Sequence, residues 1–67
     1  MKISGQNKLA GEILAIKKGE IECQVTLKSG ENMIVSIITR DSADEMELKV
    51  GDNVVALIKS TEVMIMK

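Results

Sequence analysis

Not one aromatic side chain occurs in this 67-residue chain, so any core it builds has to come from Ile, Leu, Val, Met and Ala. Each of these contributes only about 1.5–3 kcal/mol when fully buried, and a chain this short buries a smaller share of its surface than a typical domain. The usual supports at this size are disulfides, a structural metal or oligomerisation. Cys23 is the one cysteine and histidine is absent, which excludes an intrachain disulfide and leaves a four-ligand zinc site without ligands. Self-association remains, and an apolar content of 45% supports it. The expectation is a single domain, residues 1–67, that works as an oligomer.

Charge excludes further classes. Nine Lys and Arg stand against ten Asp and Glu, so no basic field draws nucleic acid, and no aromatic platform stacks its bases. There is no uninterrupted apolar run near ~18 residues and no secretory pattern, which argues against a membrane partner. A lone unpaired thiol suits a reducing compartment, so a cytoplasmic location is expected.

Ile21, Cys23, Val25 and Leu27 alternate with Glu22, Gln24 and Thr26, the period of a half-buried strand. Glu12–Ile16 reads as a preceding strand buried on both faces, and Met33–Ile38 as a following one. Gly19 and Gly30 punctuate the two connections, where hairpin turns commonly need φ > 0. Asp41 or Ser42 can cap a short helix, with Ser42-Ala43-Asp44-Glu45 at capping-box spacing. Met46 is expected to face the core, and Leu48 and Val50 to cover the exit. Gly51-Asp52 makes a turn into a strand at Asn53–Ile58, and Glu62–Met66 reads as a terminal strand. A short strand at Lys2-Ile3 can precede them all. The predicted fold is all-β: a small OB-like Greek-key barrel with one short helix.

Catalysis has little to stand on, because a nucleophile needs a base and an orienting group and neither can be assembled. No enzyme activity is expected. Cys23 lies on the inward register of its strand as a small core hydrophobe, and the methionines are read as packing. More informative are three polar segments that obey neither core nor turn logic: Ser4-Gly5-Gln6-Asn7-Lys8-Leu9, Thr39-Arg40-Asp41-Ser42 and Lys59-Ser60-Thr61. Hydroxyls, amides and an ammonium are what a tetrahedral dianion needs, since they donate to its oxygens without coordinating its metal.

These segments carry a resemblance. Ser4-Gly5-Gln6-Asn7-Lys8-Leu9-Ala10-Gly11 resembles the S-A-R-N-x-L-x-G opening of the molbindins, also called Mop or molybdenum-pterin-binding proteins, whose module is the TOBE domain. Ile38-Thr39-Arg40-Asp41-Ser42 is similar to the family's I-[ST]-x-x-S segment. Ala56 to Met64 is similar to its A-x-I-K-[SA]-[ST]-x-V-M ending. The resemblance implies a strand-sharing oligomer, a homohexamer arranged as a trimer of dimers, with molybdate or tungstate bound between subunits and no catalytic cofactor. Carried over residue by residue, it nominates Ser4, Gln6, Lys59 and Ser60 from one chain and Thr39 and Ser42 from another, with Asn7, Arg40 and Thr61 nearby.

One departure matters. Gln6 stands where the family usually has Arg, and an amide brings neither the charge nor the bidentate fork of a guanidinium. Arg40 is the group available to compensate from the partner subunit. The alternative is an oligomerising TOBE-like interaction module whose oxyanion site has lapsed. A pterin ligand ranks below a bare oxyanion, because no aromatic is present to stack on its ring.

Overall fold

The computed structural model describes residues 7–67, so the expectations placed on Ser4, Gln6 and the strand at Lys2-Ile3 lie outside the described residues. Three strands follow one another in a meander: β1 (Asn7–Lys18), β2 (Glu22–Ser29) and β3 (Asn32–Thr39). A short helix, α1 (Arg40–Glu45), leads to β4 (Asn53–Ile58) and a 3-10 turn at Ser60–Glu62. All pairings are antiparallel and the sheet order is β3-β2-β1-β4. Three hairpin-linked strands with a fourth returning beside the first are a Greek key. The all-β class with one short helix stands.

β1 is longer than its apolar stretch suggests because it serves two neighbours. Asn7 to Glu12 pair with β4, and Glu12 to Lys18 pair with β2. At the handover the chains crowd: Ser29 Oγ donates to the Ala10 carbonyl at 2.7 Å, and a Cβ on Gly11 would stand 2.6 Å from the Lys28 carbonyl oxygen. Backbone cannot give way as a flexible side chain can. Gly11→Ala is therefore expected to lower stability by about 2 kcal/mol, the scale of overpacking, in urea unfolding at fixed protein concentration.

The centre of β1 is not buried on both faces. Ile13 pairs with Leu27 and Ala15 with Thr26, so Leu14 is the extra residue of a β-bulge. The bulge shifts the register by one and turns both Ile13 and Ile16 inward despite their odd separation. Leu14 and Ala15 stay exposed. Ile13, Val25 and Leu27 form the buried centre, flanked by Ile16, Ile34, Ile38, Leu48, Val54 and Ala56. Cys23 is buried as expected, whereas Ile21, in the same alternation, is 83% exposed at the β1–β2 turn. Of the two hairpin glycines only Gly30 has positive φ, at 62°. Gly19 is needed for closeness instead, since a Cβ there would meet the Glu22 carbonyl oxygen at 2.7 Å.

The sheet curls so that inward residues of its two edges, Ile34, Ser36 and Ile38 of β3 and Val54, Ala56 and Ile58 of β4, line one apolar groove of about 360 Å³. The terminal strand expected at Glu62–Met66 is not formed. Glu62 closes the 3-10 turn, and Val63 to Lys67 join no strand. A strand needs a ladder partner for its backbone groups, and one copy of the chain supplies none here. Met64, Ile65 and Met66 are consequently 89–96% exposed. Met46 does face the inner groove but stays exposed because the groove is open, Leu48 packs on the core, and Val50 is exposed on the turn before β4.

On the opposite face, Met33, Val35 and Ile37 form an exposed stripe along edge strand β3. The chain exposes 5732 Å² at 7.3 kDa. A folded monomer of that mass would expose about 4,200 Å².

Candidate functional site

β3 runs straight into α1, and this junction fixes the first polar cluster. Thr39 remains extended, pairs with Glu22 and becomes the helix N-cap, its Oγ1 accepting from the Ser42 backbone N–H at 3.0 Å. Neither Asp41 nor Ser42 is the cap. The same Thr39 hydroxyl donates to Ser42 Oγ at 2.8 Å, so the two hydroxyls stand together at the start of the helix. Ala43 is the buried anchor beneath them, and α1 packs against β2 and β3.

Arg40, between them in sequence, is paired within the chain through two of its nitrogens. Its Nε donates to both carboxylate oxygens of Asp44 at 3.2 and 3.1 Å, and its Nη1 donates to the Gly19 carbonyl at 3.2 Å. Sequence reasoning named neither partner. The four-residue spacing of Arg40 and Asp44 was the available signal for the first.

The second polar cluster lies at the end of β4. Asn7 Nδ2 donates to the Ile58 carbonyl at 3.2 Å and ties the start of β1 to the residue preceding Lys59. Lys59 is extended and accepts the Glu62 N–H at 2.9 Å, which turns the chain through Ser60 and Thr61. Lys59, Ser60 and Thr61 are all exposed.

The clusters adjoin opposite ends of β1: Asn7 faces Ile58 at its start, while Lys18 pairs with Cys23, next to the Glu22–Thr39 pair, at its end. Among the described residues no hydrogen bond joins Thr39 or Ser42 to Asn7, Lys59, Ser60 or Thr61. One chain thus presents two separate groups of donors. Among the described residues no group of three or more His, Cys, Asp or Glu is arranged to hold a metal ion. No described helix is long and apolar enough to cross a membrane.

A curled Greek-key sheet with polar groups at its strand ends defines a small β-barrel-like domain. The TOBE-domain family model matches residues 3–65. Molybdenum-pterin-binding protein 1 of Clostridium pasteurianum is 46% identical over 67 residues, 98% of each chain. Among solved structures, a molybdate-binding protein from Sporomusa ovata aligns with a TM-score of 0.95 at 39% identity over 100% of both chains. MopII from Clostridium pasteurianum aligns with a TM-score of 0.91 at 42% identity, over 98% of this chain and 100% of that one. The chain belongs to the TOBE-domain family of molybdenum-pterin-binding proteins, the molbindins.

Proposed function

We propose that this protein binds molybdate or tungstate as a cytoplasmic store or buffer, at sites completed between subunits, and catalyses nothing. The observation that carries the reading is the division of the donors. Thr39 and Ser42 at one end of β1, and Lys59, Ser60 and Thr61 at the other, are each half of what a tetrahedral dianion needs. Apposition of two copies is the simplest way to join them. Ser4 and Gln6, placed by sequence beside Asn7, would belong with the Lys59 half. That a full-length relative in structure is a molybdate-binding protein supports the choice of anion.

Strand sharing follows from the same logic. An apolar groove lies open between β3 and β4, while residues 63–66 are an exposed apolar segment with strand-like composition. A tail from a second copy would fill the groove and finish the barrel. The β3 stripe, on the face away from the groove, is left for contacts between dimers of a trimer-of-dimers hexamer.

Isothermal titration with molybdate and tungstate, with sulfate and phosphate as controls, tests the function. Saturable, micromolar-or-tighter binding of the two larger anions with sulfate silent is expected. Absence of saturation with all four would replace this reading with the lapsed-site interaction module that Gln6 favours. In the same titration Gln6→Arg is expected to tighten binding about tenfold. A hydrogen bond to a charged group is worth roughly 1.5–3 kcal/mol against about 1 for a neutral pair, and ~1.4 kcal/mol is one decade. No gain would mean that another group already meets the anion at that position.

A further inference from the structure

We infer that Arg40 is a positioning residue: its guanidinium holds the Thr39–Ser42 hydroxyl pair in place and does not itself meet the anion. The inference rests on the oxyanion-site reading and assigns a role within that site. A guanidinium is planar, with five N–H donors in a fixed fork. Here the fork is divided between two fixed points, the Asp44 carboxylate at the last turn of α1 and the Gly19 carbonyl on the β1–β2 turn. The Arg40 backbone N–H is spent as well, donated to the Ile21 carbonyl at 2.8 Å. The Asp44 carboxylate beside the guanidinium offsets its charge, and an anion reaching the Nη2 side of Arg40 would meet that carboxylate too.

What the fork holds matters more. α1 has six residues, too few to persist without outside support. Gly19 is a firm anchor: its N–H donates to the Glu22 carbonyl at 2.9 Å, in a turn too tight to admit a Cβ. Arg40 thus bolts the first turn of α1 to a rigid hairpin and to its own last turn. Ser42 sits between, with its N–H on Thr39 Oγ1 and its Oγ accepting the Thr39 proton. The Ser42 hydroxyl hydrogen is therefore the one left to point at an anion, and its direction depends on α1 staying in register. A lysine carries the same charge but cannot serve two acceptors set apart in a plane.

The test is titration of the intact assembly with molybdate, comparing Arg40→Ala, Arg40→Lys, Asp44→Ala and the double alanine variant. Support from behind a ligand typically matters by 10–100-fold, so Arg40→Ala and Asp44→Ala are each expected to weaken binding about tenfold, and the double variant no further. Arg40→Lys is expected not to restore it. The dependence of affinity on ionic strength should be unchanged in the double variant, because the pair is removed with no change in net charge beside the anion. Tighter binding in Asp44→Ala, full retention in Arg40→Lys, or a flatter salt dependence in the double variant would overturn the inference in favour of a direct ligand. Amide exchange at Ser42 separates this failure from failure of the oxyanion reading. If the unmodified protein bound no molybdate, faster Ser42 exchange in Arg40→Lys would still support the clamp, and unchanged exchange would overturn it.

Discussion

A chain carrying glutamate at both Met64 and Ile65 is expected to elute at the mass of one subunit and to lose molybdate affinity by about a hundredfold or more. The two positions are adjacent because strand side chains alternate, so one of them faces inward in whichever register the tail docks. An unpaired carboxylate in an apolar groove lined by Ile34, Ile38, Val54 and Ala56 carries a desolvation penalty of several kcal/mol, about two decades or more in affinity. Both consequences come from one cause: without the strand sharing proposed above, the groove stays open and no second copy brings its donors to those of the first. Light scattering coupled to gel filtration reads the mass, and titration reads the site. A variant that kept the assembled mass would show that the tail is not the shared strand. One that kept its mass yet lost binding would place the tail at the anion site instead.

The meander was legible because alternation is a local signal: Cys23, Val25 and Leu27 point inward on the period that their spacing predicts. The bulge was not. Ile13 and Ile16 are an odd number of residues apart, and only the pairing with β2 reveals that Leu14 is the residue set aside. The length of β1 was hidden for a related reason. Asn7 and Lys8 are strand residues because β4 offers them a ladder, a fact about position 51 residues away and not about their own chemistry. The terminal segment shows the converse, apolar and strand-like in sequence yet unpaired, since propensity without a partner satisfies no backbone group.

Where the candidate donors lie was legible only in part. The polar segments at Thr39 and Lys59 do sit at strand ends. Their separation onto opposite ends of β1 is a product of topology. Arg40 shows why residue type alone misleads: a cation beside hydroxyls suits an oxyanion, but a carboxylate four residues along a helix and a carbonyl on the next turn suit it too. In the single chain Arg40 reaches the nearer partners.

With Arg40 committed and glutamine at position 6, Lys59 carries the positive charge assigned to the site, and its removal is expected to have the largest effect of any single substitution there. Lys59 is exposed at the end of β4 and makes no ion pair among the described residues, so its ammonium is available to a bound dianion. A charge-assisted hydrogen bond of roughly 1.5–3 kcal/mol corresponds to about 10–100-fold in affinity, and Lys59→Ala should weaken molybdate binding by that amount. The groove, the tail and the β3 stripe do not involve this side chain, so the assembled mass should be unchanged. Lys59→Arg separates charge from shape. It keeps the cation, and recovery of most of the binding would show that a point charge suffices beside the Ser60 and Thr61 hydroxyls. Lys59→Ala with unaltered affinity would move the charge requirement to the Thr39–Ser42 half and restore Arg40 as a ligand. The two variants together therefore test the division of labour on which the whole site rests, with one cation supplied by one end of the chain and a fixed pair of hydroxyls by the other.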